Sequence, residues 1–279
     1  MRFAKGHGTE NDFVILLDPD GREELTAALT ARLCDRRAGI GGDGVLRVVR
    51  AAAMTEGGGA EWFMDYRNSD GSVAEMCGNG IRVFARYLAQ HGLAEGQEFT
   101  VATRSGPRLV RLDPAGGASG AGGAGWVTVE MGRVNVLGPG SAVIGGQPFK
   151  GLRVSVGNPH LACLVGGRLA AFDLSQPPGL DPEEFPEGAN VELVQVTGPR
   201  SVAMRVRERG AGETRSCGTG AVAAAVAAAT AGGDDGGEWT VAVPGGQLTV
   251  TLEAGQAWLT GPAVIVAEGE LAPAWLAAT

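Results

Sequence analysis

Along the 279-residue chain, apolar and polar positions alternate with period two in many short runs: "RLVRLD", "WVTVEMG", "RVSVG", "MRVRE", "WTVAVPG", "LTVTLE" and "AWLTG". Alternation of this kind predicts strands with one buried face, and the frequent Gly and Pro breaks predict a strongly curved, mostly antiparallel sheet. Two stretches depart from the rhythm. After Cys77, residues Ile81, Phe84, Ala85 and Leu88 recur at i, i+3, i+4 and i+7, the spacing of one helix face, and Gly92 is placed to close the helix in a left-handed cap. After Cys217, "AVAAAVAAATA" is apolar on every side and stops at Gly232 and Gly233, which predicts a buried helix.

The two halves read as repeats. With Cys77 aligned to Cys217, Asn68 falls opposite Glu208, and "FMDYR" opposite "MRVRE". Upstream, "GDGVLRVV" resembles "ANVELVQV", with "AAAMTEGGGAE" as a longer connection in the first half, and "GTENDFVILL" resembles "VGNPHLACLV". The expected fold is α+β, with two pseudo-symmetric domains. Each is a curved, mostly antiparallel, barrel-like sheet around a central helix, and the active site is expected in the cleft between domains. The glycine-rich "PAGGASGAGGAG" at 114–125 reads as an exposed hairpin tip. Just after it the chain is expected to cross over, giving one domain of residues 1–132 plus 263–279 and a second of residues 133–262.

Composition narrows the function. The formal net charge is −8 and the pI about 5.0, which argues against nucleic acid or an anionic membrane as partner, because both reward clustered Lys and Arg. No signal-peptide pattern or 18-residue apolar run occurs, so a soluble cytoplasmic protein is expected, with no membrane partner. Cys34, Cys77, Cys163 and Cys217 form no C-x-x-C pair and are expected to be free thiols. His7, His91 and His160 lie in no zinc-binding spacing, so no metal is expected. Neither Lys5 nor Lys150 sits in a recognisable pyridoxal phosphate motif, and no cofactor is expected. "GIGGDG" at 39–44 matches a dinucleotide-binding spacing, but "VLRVV" after it reads as a strand where that motif needs a helix.

"EMCGNG" and "RSCGTG" place a thiol at two matched helix starts. Unsatisfied backbone N–H groups and the helix dipole there favour thiolate over thiol, and the flanking glycines let a carboxylate approach the backbone. One thiolate removing an α-proton while a second thiol protonates the opposite face inverts a stereocentre. Without pyridoxal phosphate, the carbanion must be stabilised by fixed dipoles in a site closed to water. The pair therefore suggests a cofactor-independent racemase or epimerase, while Cys34 and Cys163 are expected to be inert core residues. A thiol-based redox switch or a ligand-binding protein is the alternative from another class. For an enzyme, oxidation of the two thiols is expected to inactivate reversibly.

The motifs "GTENDF" (Asn11), "YRNSDGSVAEMCGNG" (Asn68, Cys77), "VGNPH" (Asn158, His160), "GANVELVQV" (Asn190) and "RERGAGETRSCGTG" (Glu208, Arg209, Cys217), in that order and spacing, resemble the diaminopimelate epimerase family over nearly the whole chain. The resemblance implies interconversion of LL- and meso-2,6-diaminopimelate, a step of lysine biosynthesis that also feeds peptidoglycan in many bacteria. It implies Cys77 and Cys217 as the acid/base pair, with His160 and Glu208 tuning them. It further implies Gly78, Asn79, Gly218 and Thr219 at the reacting end of the substrate, and Asn68, Asn158, Asn190 and Arg209 at the distal end, with Asn11 and Glu208 also among the substrate-binding residues. A homodimer is a family-level expectation. Gly44 stands where many members carry Gln, and Thr219 where many carry Ser. The nearest alternative is a relative with the same paired-cysteine design acting on another substrate, such as a proline or hydroxyproline racemase, or a dehydratase. Four Asn and Arg209 favour a substrate with a second amino-acid end, which proline lacks.

Overall fold

Helices begin at the residue after each glycine-flanked cysteine, and around them the alternating runs form strands. The computed structural model describes residues 1–56, 58–113 and 125–277. In chain order the elements are β1 (Arg2–Gly8), β2 (Asn11–Leu17), α1 (Ala27–Cys34), β3 (Gly44–Arg50), β4 (Trp62–Asn68), α2 (Gly78–Gln90), β5 (Glu98–Ala102), β6 (Arg108–Leu112), β7 (Gly125–Arg133), β8 (Asn135–Ile144), β9 (Gln147–Ser155) and β10 (Pro159–Leu164). There follow β11 (Gly179–Leu180), β12 (Asn190–Gly198), β13 (Ser201–Glu208), β14 (Gly212–Thr214), α3 (Gly218–Gly232), β15 (Gly237–Val243), β16 (Gly246–Glu253), β17 (Gln256–Glu270) and α4 (Pro273–Leu276). The expected hairpin tip falls on residues 114–124, outside the described residues. The chain divides into two units, Met1–Val129 with Pro262–Thr279, and Glu130–Gly261.

In the first unit β1 pairs antiparallel with β2, β2 parallel with β3, β3 antiparallel with β4, and β4 parallel with β5. Antiparallel β5–β6 and β6–β7 pairs complete the series. In the second unit the same sequence of pairings recurs as β9–β10, β10–β12, β12–β13, β13–β15, β15–β16 and β16–β17. The internal repeat read from the motifs is thus a repeat of topology, with the helix of each unit inserted between the two strands of the second parallel pair. Strand pairings in both units are mostly antiparallel, and the fold is of the α+β class expected.

α3 is buried because its sequence leaves no polar face that needs water, whereas α2 buries one apolar face and turns Arg86 and Gln90 outward. In α2, Ile81, Val83, Phe84, Ala85 and Leu88 are fully buried, and so is Arg82. The helix ends in a Schellman arrangement: Gly92 has φ +64°, and Leu93 N–H and Gly92 N–H donate to the carbonyls of Leu88 and Ala89. In α3, the residues from Gly218 to Ala229 are all buried, their small side chains letting β10, β12 and β13 pack closely. Cys34 and Cys163 lie in apolar clusters, beside Leu33 and Val45 and beside Leu161 and Leu193 respectively.

Some elements give weak sequence signals. In α1 the pattern spans two turns only, started by the Thr26 side chain accepting from Leu29 N–H. The β8–β9 hairpin closes on Gly145 and Gly146, both at positive φ, but Gly138, Pro139 and Gly140 break the alternation of β8, and its register shifts between Val136 and Gly138. Among the described residues no helix is long and apolar enough to cross a membrane.

Candidate active site

Each glycine-flanked cysteine is the N-cap of its helix. In the first unit Cys77 precedes α2 with φ −137° and ψ 121°, and its Sγ accepts the Gly80 N–H at 3.4 Å. The thiol donates to Asn11 Oδ1 at 3.6 Å, an oxygen that also accepts from Asn79 Nδ2 at 3.2 Å. That amide is oriented from behind, because Asn11 Nδ2 donates to Asp43 Oδ2 at 2.7 Å and Asp43 is held by Arg36 at 2.8 Å. The two-residue turn that delivers Asn11, Thr9–Glu10, has φ of +49° and +61°, left-handed values that are costly for a β-branched residue.

Below the first turn of α2 lies a buried cation. Arg82 Nη2 donates to Asn79 Oδ1 at 3.0 Å and to Thr9 Oγ1 at 3.3 Å, while its Nε and Nη1 have no partner among the described residues. Burial pushes this guanidinium down to about 10, and the Cys77 side chain opposes that shift. Asn68 spends its amide in its own turn, donating to Ser72 Oγ at 2.9 Å.

In the second unit Cys217 caps α3 with φ −126° and ψ 119°, and its Sγ accepts the Gly220 N–H at 3.4 Å. Thr219 Oγ1 lies 3.5 Å from the sulfur, and Asn158 Nδ2 donates to Thr219 Oγ1 at 3.4 Å. Asn158 Oδ1 is 2.9 Å from His160 Nε2, and His160 Nδ1 is 2.7 Å from Glu192 Oε1. Glu208 is bonded by Thr214 Oγ1 and by the Cys217 thiol. The pairing of β10 with β12 sets His160 beside Asn190, whose Oδ1 accepts the Arg209 N–H at 2.9 Å. The Arg209 guanidinium is half exposed and donates to the Glu187 carbonyl.

The expectation that a helix start makes a thiolate fails at Cys217. Burial, then Glu208 and Glu192, push this thiol well above its ordinary 9.0, and the Thr219 and Gly220 hydrogen bonds recover only part of the shift. Burial likewise pushes the Glu208 carboxyl up, against its bonds to Thr214 and Cys217. The thiol is the form this surrounding favours. Cys34 and Cys163 are pushed by burial to about 11 and about 12, in keeping with unreactive core residues.

Glu192 was not among the residues the motifs singled out, although it is completely buried against His160. Its sequence signal is a lone carboxylate inside the apolar run "NVELV", two residues after Asn190 and so on the same strand face. Gly44 starts β3 where a side chain would begin 2.5 Å from the Arg67 carbonyl oxygen and 2.7 Å from Tyr66 Cε2, which leaves no room for Gln.

A model of the family described as diaminopimelate epimerase matches residues 3–137 and 152–269. The chain is 61% identical over 279 residues to the diaminopimelate epimerase of Thermobifida fusca, covering 97% of this chain and 98% of that one. It is 52% identical over 290 residues to that of Mycolicibacterium smegmatis, covering 99% and 98%. Among solved structures, a Bacillus anthracis phenazine biosynthesis protein of the PhzF family superimposes with a TM-score of 0.70 at 18% identity, over 98% of this chain and 99% of that one. A hydroxyproline epimerase from Agrobacterium vitis, solved with trans-4-hydroxy-L-proline, gives 0.64 at 15% identity, over 96% and 91%. At such identities the structural likeness is one of fold.

Proposed function

The chain belongs to the diaminopimelate epimerase family, and from that premise we propose that Cys77 and Cys217 interconvert LL- and meso-2,6-diaminopimelate as a two-base pair. It carries the epimerase activity of lysine biosynthesis. The carrying observation is the duplicated cap: two thiols in matched positions with unlike surroundings. Cys77 donates to Asn11 and interacts with the buried cation Arg82, whereas Cys217 faces carboxylates, which favour a thiol. A pair so differently surrounded suits a scheme in which one sulfur takes a proton while the other gives one.

In the LL to meso direction this reading has the Cys77 thiolate take the α-proton and Cys217 deliver its own to the opposite face. The reverse reaction exchanges the roles. Backbone N–H groups at Gly78 and Asn79 and at Gly218 and Thr219 receive the carboxylate of the reacting end, where charge accumulates in the transition state. Asn68, Asn158, Asn190 and Arg209 hold the distal amino-acid end, Asn supplying both donors and acceptors and Arg a carboxylate clamp. Asn11 orients Cys77, while His160 and Glu208 set the proton inventory around Cys217. The scheme requires no cofactor, and we take the protein to act in the cytoplasm as a homodimer.

Incubation of the reduced protein with LL-diaminopimelate, with chromatographic separation of the isomers, tests the reading. Conversion to a mixture with the meso isomer, and no racemisation of L-proline, is the expected result. Turnover of proline, or an unchanged LL isomer with folded reduced protein, would overturn it.

A further inference from the structure

Glu192 is a buried carboxylate that the two-thiol scheme leaves unused. It stands on β12 with no exposed side-chain surface, its Oε1 2.7 Å from His160 Nδ1 and its Oε2 without a partner among the described residues. A charge in such a place is costly unless it is paired. The oxygen that bonds His160 also lies close to the helix start: a side chain at position 220 would begin 2.8 Å from Glu192 Oε1 and 3.4 Å from Cys217 Sγ. Only the glycine at 220 lets carboxylate and sulfur approach.

We propose that Glu192 is a positioning residue of the epimerase reaction, fixing the ring of His160 through Nδ1 and setting a second negative charge, beside Glu208, against the Cys217 sulfur. A carboxylate can only accept, so Nδ1 carries the shared proton and the ring is locked in one orientation, with Nε2 turned to Asn158. Asn158 in turn reaches Thr219, next to Cys217 in the loop that receives the substrate. The titratable groups around Glu192 are His160 and Cys163 on β10, Glu208 at the end of β13 and Cys217 at the start of α3. Of these only His160 carries a positive charge when protonated. Glu192 therefore acts on Cys217 in two ways: through the His160–Asn158–Thr219 chain, and directly, by opposing ionisation of the thiol.

The effect on kcat rests on the epimerase reading, whereas two other measurements address the resting protein. In 15N-edited spectra of the wild-type protein, His160, assigned by its loss in His160→Gln, is expected to carry a slowly exchanging proton on Nδ1. A ring without a proton on Nδ1 would overturn the proposal. In Glu192→Gln, iodoacetamide labelling followed by peptide mapping is expected to modify Cys217 about tenfold faster at pH 8 than in wild type, with Cys77 unchanged. An unchanged Cys217 rate in the folded variant would overturn it. Loss of kcat on the order of 100-fold with KM for diaminopimelate within about twofold is expected of the same variant. Unaltered kcat would overturn the proposal, whereas a wild-type protein that does not epimerise would count against the epimerase reading alone.

Discussion

Cys77 and Cys217 cap their helices with closely similar geometry: each sulfur accepts the N–H three residues on at 3.4 Å, from φ values of −137° and −126° and ψ values of 121° and 119°. Each sulfur is thus a structural group, whatever its part in the chemistry proposed. Cys77→Ala and Cys217→Ala are each expected to abolish epimerisation while losing only about 1 kcal/mol of stability through the missing cap. Activity assays and thermal melts on the two variants check both halves. Wild-type-like turnover in either would rule out the two-base scheme.

Arg82 is expected to govern Cys77 in the way that the carboxylates govern Cys217, with the opposite sign. Replacing it in Arg82→Met removes a buried cation near the thiol, and iodoacetamide labelling of Cys77 at pH 7 should slow on the order of tenfold. Labelling of Cys217 serves as the internal reference. An unchanged Cys77 rate in folded protein would mean that the helix start alone activates the thiol.

Gly44 is a packing requirement of this chain. Gly44→Gln drives a side chain into the Arg67 carbonyl and the Tyr66 ring. A cost of about 1–3 kcal/mol is expected, with no gain in substrate affinity, as denaturant unfolding and KM would show.

Acid should destabilise the first unit through Asp65. Burial pushes this carboxyl up, but Arg104, Arg47 and Arg67 together outweigh it, and the net shift is below the ordinary 3.8. A carboxyl lowered in the folded state contributes stability that is fully present above the unfolded value and is lost as pH falls through the folded one. Thermal midpoints are therefore expected to fall below about pH 3.8, the ordinary value of an Asp carboxyl. Asp65→Asn, which leaves three arginines facing a neutral group, should cost about 3–5 kcal/mol at pH 7 and progressively less in acid. A constant difference from wild type across that range would contradict the assignment.

Much of this was legible in the sequence where a local pattern is enough. The helix after Cys77 shows in the spacing of Ile81, Phe84, Ala85 and Leu88, the buried one after Cys217 in its alanines, and the repeat in the shared order of turns and strands. What escaped depends on neighbours distant in the chain. Glu192 gains its meaning only from the parallel pairing that sets β12 against His160, and Asp43 only from the fold that brings it behind Asn11. A helix start alone predicts a thiolate at Cys217, and the burial and carboxylates that oppose it come from other strands of the fold. The β8–β9 hairpin was hidden by Pro139 and its neighbouring glycines.

The two-base claim is tested most directly by following the reaction with LL-diaminopimelate in D2O and measuring α-deuterium by NMR in substrate and product at early conversion. Two thiols on opposite faces predict meso product that carries deuterium at the inverted carbon, delivered from a solvent-equilibrated thiol, while the remaining LL substrate is still protiated. Meso product that retains the original proton would show a single base carrying it across and would contradict the pairing of Cys77 with Cys217.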